Sequence, residues 1–420
     1  MIPRRLVLPG SLAAALLLPA CATAGTGAGT GTATPAGPVT VAAAGVPDRP
    51  AGALPAPLTE VLGFADLGPD AGPAGAAVAL AADGGNGVLV WLDRDPSDAA
   101  AGSVLVDVGP VTADGGGEGS PVTPEPVSSV AVPAVSELVD LQATADGVLV
   151  VGELTWPDGT AGWGLLRVDG SGRADTVAVD SPELVGSRTR ATVLTEGGDT
   201  LVLALGAAAP APHLVAVDAA DGGVRATTGL AVPGATTALP QDVAVAPDGD
   251  LVVALDADVD VRGARPRAVL TTVDAASAEA PGEPFDLGSG EGASGVGEVA
   301  VGGDGTAWVT VAGWDPADPA DVTWRLVGVA GDVLQEIDLP ADAVPGGDLA
   351  VDPAGATAYL PGSVAGVPHL FVVDLAAGTT EPVRLAAAGH TADVAVASDG
   401  ATVWVSGTDG AGRPGVWLVG

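Results

Sequence analysis

The chain has 420 residues and a formal net charge of −37, because 52 acidic side chains stand against 15 arginines and no lysine. This charge excludes nucleic acid as a partner, since phosphate binding needs clustered lysine and arginine, and it opposes docking on anionic lipid headgroups. Apolar residues make up 47% of the chain and aromatic residues 3%. The core must therefore be built from Val, Leu and Ala, which pack well between β-sheets.

The first 20 residues are predicted to be a secretory signal. Two early arginines precede an apolar stretch over residues 6–19, which is too short to span a bilayer as a permanent helix. Leu18-x-Ala-Cys21 then resembles the lipobox of bacterial lipoproteins, and this resemblance implies cleavage before Cys21 and a lipid on its thiol. The alternative is an ordinary signal peptide with an incidental cysteine. We expect an extracytoplasmic protein that contacts the bacterial cell membrane through its lipid anchor alone.

The segment after the cysteine is predicted to be a tether. Residues 22–57 are mostly Ala, Gly, Thr, Pro and Val with almost no charge, a composition that cannot bury a core. The predicted organisation is a signal peptide over 1–20, a lipidated cysteine and tether over 21–57, and one folded domain over 58–420.

A self-similar unit recurs seven times from about residue 75. Each copy has an alternating apolar segment, a turn that usually contains Asp-Gly, and a second apolar segment, which predicts a hairpin. The clearest copies begin at Asp242, Glu298 and Asp393, and the third copy places Asp199 where the others have glycine. The turns fall at residues 84, 147, 199, 249, 305, 355 and 400. This spacing is typical of propeller blades.

A third segment ending in Asp and a weaker fourth segment follow the hairpins, and four strands per unit define a blade. Clear third segments are Leu165–Asp169, Leu214–Asp218, Leu270–Asp274 and Leu370–Asp374. The predicted fold is an all-β, seven-bladed propeller with four antiparallel strands per blade. The last unit lacks a fourth strand, and we expect residues 60–66 to supply it and close the ring.

The repeat also suggests a family likeness. Residues 243–249, Val-Ala-Val-Ala-Pro-Asp-Gly, resemble the NHL and YVTN-type propeller repeats of bacterial surface and periplasmic proteins. This resemblance implies architecture rather than activity, because one fold hosts many functions.

Aligning the repeats on the turn places an acidic residue just ahead of the first strand in five copies. These residues are Asp140, Asp242, Glu298, Asp348 and Asp393, whereas the other two copies carry Ala77 and Thr192. First strands line the channel of a propeller, so five carboxylates are expected near one mouth. They could hold a divalent cation such as calcium or line a ligand funnel. The alternative, which we favour, is that each carboxylate bonds backbone N–H groups of its own or a neighbouring blade.

The loops between second and third strands vary most, and binding residues concentrate on variable loops of rigid scaffolds. Candidate ligand-binding residues there are Trp156, Asp158, Trp163, Arg262, Arg265, Trp314, Asp315 and Trp324. Each Trp could instead pack over a neighbouring blade. The stretch Asp256-x-Asp-x-Asp260 matches only the start of a calcium loop, so calcium is not expected there.

The residues favour a monomeric, surface-anchored binding or scaffold module over an enzyme, with a protein, peptide or carbohydrate ligand. No catalytic residue is assigned, and the three histidines lack metal-ligand spacing. One alternative is an extracytoplasmic propeller enzyme, a metal-assisted hydrolase, lactonase or lyase acting on a carbohydrate-like substrate. Another is a structural component of a cell-envelope complex.

Overall fold

A computed structural model describes most of the chain after residue 56. The described residues are 57–67, 76–82, 87–93, 103–112, 122–132, 135–144, 147–156, 160–169, 173–180, 184, 188–195, 198, 200–206, 212–259, 261, 265–274, 283–288, 292–331, 333–398 and 400–420. The predicted signal, Cys21 and nearly all of the tether lie outside these residues. Within them, no helix has the length and apolar character needed to cross a membrane.

The chain forms seven antiparallel sheets, each a blade of a propeller, and the predicted fold is confirmed. The inner strands of blades 1 to 7 are β2 (Ala76–Ala82), β6 (Val135–Thr144), β10 (Arg188–Leu194), β14 (Ala238–Val245), β18 (Ala293–Val301), the pair β22 (Ala343–Pro345) and β23 (Ala350–Val351), and β27 (His390–Val396). The second strands are β3 (Val88–Asp93), β7 (Gly147–Thr155), β11 (Thr200–Gly206), β15 (Leu251–Ala257), β19 (Ala307–Asp315), β24 (Thr357–Val364) and β28 (Val403–Thr408).

The two remaining strands of each blade lie progressively farther from the channel. The third strands are β4 (Ser103–Thr112), β8 (Ala161–Asp169), β12 (His213–Asp218), β16 (Arg267–Val273), β20 (Asp318–Ala330), β25 (Val367–Asp374) and β29 (Pro414–Val419). The outer strands are β5 (Val122–Val132), β9 (Ala174–Ala178), β13 (Val224–Gly229), β17 (Phe285–Asp286), β21 (Val333–Asp338), β26 (Thr379–Arg384) and, in blade 7, β1 (Val61–Asp66).

The ring closes through its first strand, as the sequence predicts. β1 pairs antiparallel with β29, so the outer strand of the last blade comes from the opposite end of the chain. Glu60 and Gly420 exchange two backbone hydrogen bonds of 3.0 and 2.9 Å. The rings of Phe64 and Trp417 pack with their centroids 4.9 Å apart. This pairing covers an edge that would otherwise expose unpaired backbone groups.

The hydrophobic core lies between the blades rather than inside them. The described apolar side chains form seven buried clusters, and each cluster joins two neighbouring blades. β15 shows the reason, because Val253 and Leu255 pack toward blade 3 while Val252 and Ala254 pack toward blade 5. Side chains alternate between the two faces of a strand, so a strand buried on both faces needs an unbroken apolar run.

The third blade departs from the predicted alignment at its turn. Gly198 has a positive φ of +71° in this turn, whereas the sequence alignment had placed Asp199 at the glycine position. The N–H of Gly198 donates to the carbonyl of Thr195 at 2.9 Å, just as Gly249 bonds Ala246 in blade 4. The alignment was therefore wrong by one residue in this blade, because glycine is what the left-handed turn position requires.

Candidate functional site in the central channel

A break in the regular pairing of the inner strand positions each predicted carboxylate. The register shifts immediately before Asp140, Asp242 and Asp393, and it shifts around Glu298. In blade 6 the inner strand is interrupted between β22 and β23, and Asp348 lies in the gap. Such bulges re-aim a side chain and release backbone groups from the ladder. The five carboxylates thereby share one cavity of about 460 Å³ in the channel.

The same register corrects the predicted equivalents in the other two blades. Ala79 follows the shift in β2, and Ala191 follows the shift in β10, so these residues occupy the place of the carboxylates. The alignment on the turn had named Ala77 and Thr192. That alignment counted residues back from an assumed turn position. In these two blades the count does not end at the residue that follows the bulge, so it named the wrong residue.

Two carboxylates make the same pair of backbone bonds, one within a blade and one across to the next. The N–H of Val243 donates to Oδ1 of Asp242 (2.7 Å), and the N–H of Val299 in blade 5 donates to Oδ2 (2.7 Å). The N–H of Val394 donates to Oδ1 of Asp393 (2.6 Å), and the N–H of Leu80 in blade 1 donates to Oδ2 (2.7 Å). The favoured interpretation is confirmed for these residues.

Asp140 joins blades 2 and 3 in a related way. Its Oδ1 accepts the N–H of Leu141 (2.7 Å), while its Oδ2 accepts the hydroxyl of Thr192 (2.7 Å) and the amide of Gln142 (2.5 Å). Thr192 follows Ala191 directly, as Leu80 follows Ala79 in blade 1. At this position blade 1 donates a backbone N–H to the neighbouring carboxylate, whereas blade 3 donates the hydroxyl of Thr192.

The remaining two carboxyl groups are paired with acidic neighbours. Glu298 interacts with the carboxyl group of Asp242, and Asp348 interacts with that of Asp393. Two carboxyl groups that lie close together cannot both ionise easily, so a proton on one of them is favoured. The ring of five carboxyl groups therefore favours protonated forms more than surface carboxylates do.

Burial and mutual repulsion explain this protonation. Desolvation, followed by repulsion from Asp348, raises the pKa of Asp242 to about 8. Desolvation raises the pKa of Asp140 and, together with neighbouring carboxylates, places those of Glu298 and Asp393 well above their usual range. The pKa of Asp348 is raised to about 6, first by desolvation and then by Asp140.

The five carboxyl groups of the channel differ in their exposure. Asp393 is buried, with 6% of its surface exposed, whereas Asp348 is exposed to the cavity. Asp348 is thus the most accessible of the five carboxyl groups.

Polar side chains line the rest of the cavity, and the sequence reasoning named only Thr192 among them. The others are Gln142, Arg190 and Gln241. Gln142 could have been found, since it is two residues after Asp140 and strand alternation puts both on one face. Gln241 could not, because the bulge between Pro240 and Asp242 brings adjacent residues to the same cavity.

Asp256, next to this cavity, is a further buried carboxyl group. Its Oδ2 accepts the amide of Gln241 (2.7 Å), and its Oδ1 accepts the N–H of Val296 in blade 5 (2.7 Å). Desolvation raises its pKa to about 7. Asp258 similarly accepts the N–H of Thr236 (2.7 Å). The carboxyl groups of Asp256 and Asp258 therefore hold neighbouring backbone segments together. Asp260 lies outside the described residues.

The four tryptophans among the loop candidates are half-buried against the sheets. The Trp156 ring lies on β8, where a Cβ at Gly164 would be 2.8 Å from it, and Trp314 lies over Gly295. Trp163 and Trp324 pack against the clusters between blades 2 and 3 and between blades 5 and 6. Each ring therefore has a packing role and an exposed side, and ligand binding stays a prediction.

The other loop candidates are charged residues. Asp315 and Arg265 are exposed, while Asp158 and Arg262 lie outside the described residues. Over the part of the chain that the structure describes, no group of three or more His, Cys, Asp or Glu is arranged to hold a metal ion. Binding of a divalent cation by the ring stays a prediction.

Comparison with known proteins extends to the fold alone. No family model matches the chain, and no curated protein matches it. A similar solved structure is that of hydrazine synthase from Kuenenia stuttgartiensis, with a TM-score of 0.55 and 14% sequence identity. The match covers 89% of this chain and 99% of that chain. At this identity the likeness shows a shared propeller fold.

We predict that Asp393→Ala destabilises the propeller by about 2–4 kcal/mol, because the buried N–H groups of Leu80 and Val394 lose their acceptors. Glu381→Ala is the matched control, since it removes one exposed carboxylate from the outer strand of blade 6. Chemical denaturation measures both variants. Equal stability of Asp393→Ala and the control would show that relief of repulsion outweighs the lost bonds.

We predict that the free energy of unfolding falls as the pH rises from 6.5 to 8.5. The folded pKa of Asp242, about 8, exceeds its unfolded value of 3.8, so the folded state binds more protons in this window and loses that advantage as pH rises. Each proton contributes up to about 1.4 kcal/mol per pH unit. Asp242→Asn should flatten the dependence. A wild-type stability that is constant over this window would contradict the assigned protonation.

Proposed function

We propose that the chain is an exported, lipid-anchored binding module that takes a small organic cation into the mouth of its central channel. The observation that carries the proposal is the convergence of five carboxyl groups from separate blades on one cavity of about 460 Å³. This volume is in the range of small-molecule sites.

Charge supports a cationic ligand. The carboxyl groups of Asp242, Glu298, Asp348 and Asp393 repel one another. An ammonium group in the cavity would relieve that repulsion and accept no proton from the ring. Asp348 is placed to make the first contact, because it is exposed to the cavity and no backbone donor is bonded to it among the described contacts.

The rest of the cavity wall supports an oriented ligand. The side chains of Gln142, Gln241 and Arg190 line the cavity beside the five carboxyl groups. Because the amide nitrogens donate to Asp140 and Asp256, the amide oxygens would accept hydrogen bonds from hydroxyl groups of a ligand whose ammonium group faces Asp348. We propose that the strand ends carrying Trp163 and Trp314, with the loops that follow or precede them, form the rim that selects the rest of the ligand.

The anchor is proposed from the sequence. Leu18-x-Ala-Cys21 and the uncharged segment that follows would hold the propeller outside the cytoplasm at the end of a flexible chain. A binding module in that position would capture solutes or present a rigid surface to other envelope components.

Calorimetric titration with 1,4-diaminobutane tests the channel, with butane-1,4-diol as the uncharged probe of similar shape. The diamine should bind, and Asp348→Asn should weaken it at least fivefold while Glu381→Gln, which removes an exposed charge, leaves it unchanged. Calcium chloride is the third probe, because the ring is also predicted as a metal site. Calcium binding without diamine binding would replace the organic cation with a metal. Absence of diamine binding up to 10 mM would overturn the proposal.

Substitution of the cysteine tests the anchor. In cells that express the full chain, Cys21→Ser should move the protein from the membrane fraction to the soluble extracytoplasmic fraction, because no thiol remains for lipid attachment. Immunoblotting of fractions measures the distribution. If the variant stayed in the membrane fraction at the wild-type level, the lipid anchor would be wrong.

A further inference from the structure

A second kind of cavity opens between neighbouring blades, at the end of the propeller where the inner strands turn. The groove between blades 2 and 3 has a volume of about 490 Å³, and the groove between blades 3 and 4 has about 370 Å³. No residue that lines the second groove also lines the channel cavity, so it is a separate site.

Arg167 shows what fits the first groove. Its side chain lines that groove from β8, and its guanidinium donates to the carbonyl of Ala219 in blade 3. The aliphatic stem of an arginine can lie along apolar surface while the charged end reaches a polar partner. An arginine of blade 2 thus bridges two blades.

The next groove lacks this arginine. In blade 2, Arg167 pairs with Leu149, two positions before the pair Asp169–Gly147. In blade 3, the corresponding pair is Ala216–Val202, two positions before Asp218–Thr200. Ala216 therefore occupies the place of Arg167, and the described lining of this groove contains no arginine.

The groove between blades 3 and 4 offers contacts for both parts of an arginine side chain, the aliphatic stem and the guanidinium. Its floor is apolar and consists of Val202, Leu214, Ala216, Leu251 and Val273. Three carboxylates, from Asp248, Asp250 and Asp274, stand at its rim. Desolvation and then repulsion from the other two raise the pKa of Asp250, which places the three charges close together.

An arginine beside this groove is already engaged. Arg225, on the outer strand of blade 3, forms an ion pair of 2.6 Å with Asp218 and also donates to Thr200, which lines the groove. The excess negative charge at the groove favours a cation from outside the chain.

We propose that the groove between blades 3 and 4 is a docking site for an arginine side chain of a partner polypeptide. The stem would lie on the apolar floor, and the guanidinium would bind the carboxylates of Asp250 and Asp274. Planar guanidinium groups bind carboxylates with two parallel hydrogen bonds. The site would give the module a protein partner independent of the channel ligand.

The probe is the peptide acetyl-Leu-Arg-Leu-amide, and its citrulline counterpart is the isosteric uncharged control. Calorimetric titration of the purified chain should show binding of the arginine peptide and at least tenfold weaker binding of the citrulline peptide. Ala216→Arg should abolish binding, because the new side chain fills the groove in cis. Asp250→Asn should weaken it at least threefold.

Asp304→Asn is the matched control for charge. Asp304 lies in the equivalent turn of blade 5, where its Oδ1 accepts the N–H of Thr306 (3.0 Å), and it does not line the groove. This variant should bind the peptide like wild type. An equal loss in Asp304→Asn and Asp250→Asn would show attraction to the acidic surface in general and overturn the site.

Two further results would also overturn it: undiminished binding by Ala216→Arg, or no binding of the arginine peptide at 10 mM. If Ala216→Arg does not fold, Ala216→Gln and Asp250→Asn decide the question. Asp348→Asn should leave peptide binding unchanged, and Ala216→Arg should leave diamine binding unchanged. The docking site and the channel proposal can therefore fail separately.

Discussion

The bond from an inner-strand carboxylate to the backbone of the next blade is the interaction on which this ring depends. Apolar burial holds neighbouring sheets together, but burial is non-directional and does not fix how far one sheet slides over the next. The bonds of Asp242 to Val299 and of Asp393 to Leu80 fix that offset at the centre of the ring. The second of these also closes the ring from the inside, while β1 closes it from the outside.

The same interaction places acidic groups close together in the channel. A carboxylate that must reach the neighbouring blade has to lie near the axis, and five of them at the axis repel one another. The raised pKa values of Asp242, Glu298 and Asp393 favour protonation of these groups, which reduces that repulsion. The carboxyl groups that join the blades, Asp242 and Asp393, thus lie in the same cavity as Asp348, which the proposed cation would meet first.

Single residues that differ between blades make the otherwise repeated cavities and grooves differ from one another. Ala79 and Ala191 interrupt the carboxylate ring in blades 1 and 3, and the side with Arg190 and Gln241 becomes the polar wall of the cavity. One difference in the repeat, Ala216 where blade 2 has Arg167, likewise leaves the junction of blades 3 and 4 without the arginine that bridges blades 2 and 3. A single side chain can therefore make one copy of a repeated scaffold differ from the next.

The sequence by itself determined the number of blades, the strand order within each and the closing strand, because strand periodicity and turn residues are local properties. It also located the five carboxylates, since they keep a constant distance from the turn. Only the tertiary structure decided what those carboxylates bond. Their partners are up to 313 residues away in the chain, and a bulge changes which side chain faces the channel without altering the apolar pattern. The bulge is also the reason that Ala191, and not Thr192, occupies the carboxylate position in blade 3. The groove beside Ala216 lies between two blades, so only the packed structure shows it.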